Sequence, residues 1–503
     1  MNFIPDQTQL QLWDTWVYLA ENDDIHLFYL ANKPGGAWGY VGHAVSRDWL
    51  HWTDLPEIVL RGEPGTWDAG GCGTGMVFKH DDGRYYMTYT GALSVNEASG
   101  LFTSRDLITW EKLTPKTPYW SRQTTPPYEE DTRRVAVSPA WRDAFVTRNP
   151  QGEWEAVCSA RVNEGAAAGR ACLARCKLMG LDHWVTMPPL AHTGKYSSME
   201  VPEIWSFGGK YWVVFSTGSN WGVRLDTESR RAVTGTFYVC ADKWEGPYYA
   251  PKNNLLIGAG NNQMHSYVGR LLPYHGQYLL YHHYAGNPTA MGLPKVVNVE
   301  GDQLYLSPWD GLKGIWQGEA KLEEWRTYPA GVVAPGTWKQ NEKTITGHCA
   351  YGSDALIAEA HAPNVDMEGT ITLKSGRRAG IAVGMRPDKT SNGFACLLDA
   401  VAGEVTLTRF VRWEHANGLQ LDARVDEVKY PVRRNRTYRF RLLRRDKYLE
   451  FFLDNRLVFS SLVPEPAMGG AIACVLESAS AAFTIERVHI LEPLKHQNAG
   501  MKR

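Results

Sequence analysis

No stretch of the 503-residue chain approaches the roughly 18 consecutive apolar residues that a bilayer span requires. The first residues, Met1 to Trp16, carry no basic cluster leading into an apolar run. Neither a membrane segment nor an export signal is expected, and the chain reads as soluble and cytoplasmic. Charge of one sign is lacking too, since 53 Lys and Arg stand against 54 Asp and Glu. That balance gives no electrostatic reason for a nucleic-acid partner and suits a neutral substrate. The eight cysteines (Cys72, Cys158, Cys172, Cys176, Cys240, Cys349, Cys396 and Cys474) are scattered, with no CxxC pair and no His at zinc spacing. They read as reduced core thiols, and no metal or cofactor is expected. Long amphipathic helical patterns are nearly absent, which leaves an all-β class.

Aromatic residues are what the chain has in quantity, with 20 Trp and 24 Tyr. Short β-branched and aromatic runs, such as His26 to Leu30, Tyr85 to Tyr89, Tyr211 to Phe215 and Tyr278 to Tyr281, recur between Gly, Asp and Asn turns. Among them runs a weak repeat: Gly42-His-Ala-Val-Ser-Arg-Asp-Trp-Leu-His-Trp52, then Gly100-Leu-Phe-Thr-Ser-Arg-Asp-Leu-Ile-Thr-Trp110, with echoes ending at Trp184 and Trp244. A spacing of roughly 60 to 75 residues suits a four-stranded blade repeated about an axis. The expected architecture is a five-bladed β-propeller over 1–322, a linker over 323–340, a β-sandwich over 341–495 and a frayed tail over 496–503. In the expected sandwich Tyr438-Arg-Phe-Arg-Leu-Leu and Tyr448-Leu-Glu-Phe-Phe-Leu alternate, with Asp454-Asn455 as a hairpin turn between strands.

A propeller brings side chains distant in sequence to one axial pocket, so a catalytic group would be spread along the first domain. Three acids stand among apolar neighbours: Asp14 in Leu12-Trp-Asp-Thr-Trp16, Asp143 in Trp141-Arg-Asp-Ala144, and Glu200 in Met199-Glu-Val-Pro-Glu203. Glycosidic hydrolysis needs one carboxyl group to protonate the leaving oxygen and a second to attack the anomeric carbon or activate water. Isolated Asp and Glu in β-proteins are more often turn formers or exposed charges, so spacing alone does not assign them.

The segments around these acids resemble glycoside hydrolase family 32, the invertase and fructanase group. Asp14 precedes His26-Leu-Phe-Tyr29, as the family's nucleophile precedes a strand of that sequence. Trp38-Gly-Tyr-Val-Gly-His-Ala-Val-Ser-Arg-Asp-Trp-Leu-His-Trp52 is the most specific match. Trp67-Asp-Ala-Gly-Gly-Cys-Gly-Thr-Gly75 is similar to the family's Gly-Cys-Phe-Ser-Gly-Ser segment, and Leu293-Pro-Lys-Val to its Leu-Pro-Arg segment. Arg142-Asp143 resembles the Arg-Asp-Pro motif and Glu200-Val-Pro202 the Glu-Cys-Pro motif. The resemblance implies a retaining hydrolase of terminal β-fructofuranosides. Asp14 would be its nucleophile, Glu200 its acid/base, and Asp143 its transition-state stabiliser. Arg142, Trp38, Trp67, Asp68, Thr74, Glu203 and His265 are the expected substrate-binding residues.

Departures from the family pattern bear on the substrate. Where the family has Trp-Met-Asn-Asp-Pro-Asn-Gly, this chain has Leu12-Trp-Asp-Thr-Trp-Val-Tyr18, so the Asn before the nucleophile and the Pro-Asn-Gly after it are replaced. That substitution, with Trp244-Glu-Gly-Pro-Tyr248, leaves open a related five-bladed furanosidase such as an arabinofuranosidase. A silent glycan-binding propeller is the reading from another class. Glu203 competes with Glu200 as the acid, though the motif places the acid before Pro. His282 and His283 are adjacent in a strand and point to opposite faces, so they read as structural.

Overall fold

The computed structural model describes residues 3–5, 11–33, 36, 38–92, 97–114, 116–121, 127–128, 140–162, 171–218, 224–225, 228–259, 266–286, 289–327, 336–385, 393–413, 418–464 and 469–494. Five antiparallel sheets follow one another along the first part of the chain. Each is built from four strands that pair with their neighbours, with short additions at Trp120–Ser121 and Ala290–Met291. The first strands of these sheets are Gln11–Leu19, Gly73–Lys79, Trp141–Arg148, Glu200–Phe207 and Tyr267–Tyr274. They touch one another in a closed round, so the sheets are five blades with their first strands at the axis.

The sequence repeat is a turn. In blade 1 the Asp48 carboxylate accepts N–H bonds from Leu50 and His51, both at 2.8 Å, while the Trp52 indole donates to the Trp49 carbonyl at 3.0 Å. Blade 2 repeats this: Asp106 accepts from Ile108 and Thr109 at 2.9 and 2.7 Å, and Trp110 donates to Leu107 at 2.9 Å. Trp49 and Leu107 share a left-handed backbone, with φ of 64° and 65°. Between blades the core is aromatic. Trp120 and Trp184 stack with ring centroids 5.1 Å apart, and Trp141 meets Trp184 edge-on at 5.9 Å. The N-terminal segment joins blades 1 and 5. The Met291 N–H donates to the Phe3 carbonyl at 2.9 Å, and the Phe3 ring lies 5.7 Å from Tyr29.

The chain divides into two compact units between Tyr305 and Leu306, earlier than the expected boundary. The expected linker is corrected on its described residues: Glu323–Thr327 and Thr337–Gln340 are strands, both paired with Ile345–Glu359. Both are short, polar edge strands, and the Pro and Gly residues between them imitate an interdomain hinge in the sequence. The second unit is organised by Val365–Met385 and Ala471–Leu491, which pair along nearly their whole length. Thr437–Arg445 extends the sheet from Val365–Thr372, and Gly393–Asp399 extends it from Arg378–Val383. Apolar residues of both extensions, including Phe394, Leu407, Phe440 and Phe451, share one core. The expected hairpin is at Asp454-Asn455, where φ values of 48° and 64° join strands that pair Leu453 with Arg456.

Candidate active site

The innermost strand of every blade is interrupted by a bulge at its axial end, and the candidate residues sit on these bulges. Pairing shifts register between Trp13 and Thr15, Gly73 and Met76, Arg142 and Phe145, Glu200 and Glu203, and Tyr267 and Arg270. Asp143, Val201 and Val268 have positive φ, at 60°, 49° and 47°. For β-branched valines this is an unfavourable backbone, held by the surrounding ring. A bulge turns one side chain off the regular alternation of a strand, which aims Asp14, Thr74, Asp143 and Glu200 along the axis.

Bonds between bulges tie the blades together. The Thr74 hydroxyl of blade 2 donates to Asp14 Oδ2 of blade 1, and Asp14 Oδ1 has no partner among the described residues. Arg142 Nη2 of blade 3 donates to Glu200 Oε1 of blade 4 at 2.8 Å, and its Nη1 stands 3.3 Å from both oxygens of Glu97. The Val201 N–H of blade 4 donates to Asp143 Oδ2 at 3.0 Å, while the Asp143 N–H donates to the Thr90 hydroxyl at 3.0 Å. From blade 5, the Tyr267 hydroxyl donates to Glu200 Oε2. The three expected acids thus share one buried cluster with Arg142 and Thr74.

Burial pushes the Asp14 carboxyl up to about 7, with a contribution from the charge of Glu200; Thr74 and Arg270 oppose the shift. Asp143 is also pushed up to about 7 by burial, against the opposing effects of Arg142 and the Val201 N–H. Burial and the neighbouring Glu200 carboxylate raise the Tyr267 phenol well above its ordinary value, so it remains a donor. Two buried carboxyls near neutrality, beside a third that is hydrogen-bonded to a cation and a phenol, can exchange protons and present an anionic oxygen to a bound carbon centre.

Several expected substrate-binding residues are occupied elsewhere. Glu203 is buried and accepts from Arg270 Nε at 2.5 Å, the Leu271 N–H at 2.9 Å and the Trp205 indole at 3.0 Å, which leaves it a structural acid. Asp68 is fully buried and holds Lys112, the Tyr89 hydroxyl and the Thr66 hydroxyl. Trp67 donates its indole to the Thr114 carbonyl and lies against Tyr89, within the packing of blade 2. Trp38 does approach the axial cluster, 6.2 Å from the Trp13 ring. His265 lies outside the described residues. His282 and His283 face apart as expected: His282 meets Lys295 at 3.2 Å, and His283 packs 4.9 Å from Trp13. Among the described residues no group of three or more His, Cys, Asp or Glu side chains could hold a metal ion.

Sequence reading missed Tyr267, Glu97, Thr90 and Arg270. Arg270 had a signal, a lone charge inside the apolar strand Tyr267-Val-Gly-Arg-Leu-Leu, where only a paired cation is stable. Tyr267 opens the last inner strand, where a blade count would have placed a fifth axial contribution. Glu97 and Thr90 had none.

The family model "Glycosyl hydrolases family 32 N-terminal domain" matches residues 15–264, a span that holds Asp143 and Glu200 and begins directly after Asp14. The chain is 43% identical over 75 residues to beta-fructofuranosidase 1 of Zea mays, covering 14% of this chain and 11% of that protein. It is 28% identical over 208 residues to the sucrose-6-phosphate hydrolase of Escherichia coli, covering 39% of each. The aligned stretches therefore span well under half the length of these relatives. In fold it is similar to the exo-inulinase of Aspergillus awamori, with a TM-score of 0.67, 14% identity and 98% of both chains covered.

Proposed function

Because the chain belongs to glycosyl hydrolases family 32, we propose that it hydrolyses terminal β-fructofuranosides with retention of configuration. The observation that carries this reading is the meeting of Asp14, Asp143 and Glu200 on three bulges at one axis, with Asp143 and Glu200 joined through Arg142 and Asp14, held by Thr74, close enough to feel the charge of Glu200. In its ionised form Asp14 attacks the anomeric carbon while Glu200 gives its proton to the leaving oxygen, producing a covalent glycosyl-enzyme and a free alcohol. Glu200 then takes a proton from water, whose oxygen attacks the same carbon and releases Asp14 as carboxylate. Asp143 and Arg142 hold the ring hydroxyls. A cytoplasmic setting suits the eight cysteines, which are buried and form no disulfide among the described residues. We also read the second unit, whose two extensions close on one core, as a β-sandwich.

The sugar preferred is set by the replaced first motif. Trp13 stands where the family has the Asn before its nucleophile, and its ring lies among Trp38, Tyr267 and His283, at 6.2, 6.1 and 4.9 Å. With Trp13 and Trp16 in place of the family's two Asn, and Thr15 and Val17 in place of its Pro and Gly, hydroxyls that those amides would meet are left unpaired, at about 1–3 kcal/mol each. Sucrose is therefore expected to be a poor substrate beside a fructoside with an apolar or longer aglycone. The test compares kcat/KM on sucrose, inulin-type and levan-type oligosaccharides and aryl arabinofuranosides, with NMR of the first-formed anomer. Fructose released with retention supports the reading. Inversion, or cleavage of arabinofuranosides alone, overturns it.

A further inference from the structure

The second unit contains a cavity of about 300 Å³ whose lining includes Pro308, Asp310, Glu368, Arg439, Arg441 and Asn455. Its residues are remote in sequence from every acid of the propeller cluster. Glu368 belongs to Val365–Met385, and its side chain is only 18% exposed. Three guanidiniums surround its carboxylate, from Arg487 at 3.5 Å, Arg439 at 3.6 Å and Arg441 at 3.8 Å. None makes a hydrogen bond with it. A carboxylate held by three ion pairs, none at hydrogen-bond distance, keeps acceptor capacity for a further donor in the pocket.

Two of the donors around it have other partners as well. Arg441 is held by Asp366 in a two-pronged pair, Nε to Oδ1 at 2.8 Å and Nη2 to Oδ2 at 2.6 Å, and the Trp316 indole completes Asp366 at 3.1 Å. Arg439 is steadied by Glu486 at 3.1 Å. Asn455 caps the pocket from the hairpin turn, its backbone left-handed with φ of 64°, and its amide group has no hydrogen bond among the described residues. The pocket thus offers a carboxylate acceptor, two guanidinium donors and an amide in one concave space.

Charge selects the ligand class. Asp310 and Glu368 in the lining are matched by Arg439 and Arg441, and the surrounding Asp366, Glu486, Arg487 and Lys313 complete the balance. A neutral pocket gains little from a phosphate or a free cation. A neutral molecule whose adjacent groups each donate and accept matches it: one hydroxyl donates to Glu368 while accepting from a guanidinium, and its neighbour does the same or meets Asn455. We propose that this pocket is a second, non-catalytic binding site for a single sugar ring, engaged through a vicinal pair of hydroxyls.

The test uses the full chain with Asp14→Ala, which removes turnover, titrated calorimetrically with fructose, methyl β-fructofuranoside, glucose and inorganic phosphate. A sugar-binding event at millimolar concentration is expected, weakened at least about tenfold when Glu368→Ala or Asn455→Gly is added. In the otherwise native chain the same two substitutions leave kcat/KM on a small substrate unchanged. Asn455→Gly keeps the left-handed turn, so it tests the pocket even if Glu368→Ala fails to fold. The proposal is overturned if both variants bind sugars like their parent, if no sugar binds, or if phosphate binds in place of sugars. A chain that cleaves no fructoside yet loses sugar binding with Glu368→Ala would overturn the proposed reaction and leave this site standing.

Discussion

Asp14 and Asp143 occupy positions where a charged carboxylate is unfavourable, and that has consequences for both stability and rate. Each has a folded value near 7 against an ordinary value of 3.8. Between those limits the folded chain holds more protons than the unfolded one, so stability falls as pH rises from about 4 to about 7 and stays lower above. Asp14→Asn and Asp143→Asn should therefore melt above the parent at pH 8, by an amount on the order of a few kcal/mol shared between coupled groups, and level with it at pH 4. Thermal unfolding at the two pH values checks this, and a variant that melts no higher at pH 8 refutes it. On the proposed reaction the same titration limits catalysis, because Asp14 must be ionised to attack. The acid limb of kcat/KM should lie near pH 7 and belong to the pair of carboxyls as a whole. At this scale the three acids were legible because motifs surround them. Tyr267 was not, since a hydroxyl aimed at Glu200 leaves no trace in its own neighbours along the chain.

Two kinds of irregular element shape the propeller, and the sequence displays only one of them. The Ser-Arg-Asp turn of blades 1 and 2 is written in side chains, with an Asp that accepts two N–H groups and a Trp that donates back across the turn, so its repeat could be read directly. The bulges that aim the candidate residues are written in backbone pairing. Val201 and Val268, residues that favour extended strands, adopt positive φ there because contacts from other blades outweigh local preference. The two kinds should respond differently to substitution. Asp106→Ala removes the acceptor for Ile108 and Thr109 at an exposed turn, so it should cost about 1 kcal/mol in urea unfolding and leave kcat/KM unaltered. A loss of activity comparable to the loss of stability would mean that the turn is coupled to the axis.

Across the whole first unit, the ring is closed by contacts that the order of blades made predictable in number but not in partner. Four Trp positions marked the repeat, whereas the division at Tyr305 was hidden because the polar edge strands after it resemble a linker. Arg270 is the residue through which distant blades are most directly joined. It is buried in blade 5, pairs with Glu203 of blade 4, and donates Nη1 to the Gly75 carbonyl of blade 2 at 2.9 Å, directly after the threonine that holds Asp14. Arg270→Met should destabilise by about 3–5 kcal/mol, because Glu203 is left as a buried carboxylate without its cation. Adding Glu203→Leu removes that orphaned charge, so the double variant should recover most of the stability, and a double-mutant cycle should return a large coupling. Activity should not recover with it. Arg270 also favours the ionised form of Asp14, so its removal shifts that carboxyl further up and moves the acid limb of kcat/KM to higher pH in the single and double variants alike. Unfolding curves and pH–rate profiles on the same proteins separate the two roles. A double variant that regains stability and an unshifted acid limb would confine Arg270 to closing the ring, whereas a shifted limb on a restored fold would make it the positioning cation beneath the nucleophile.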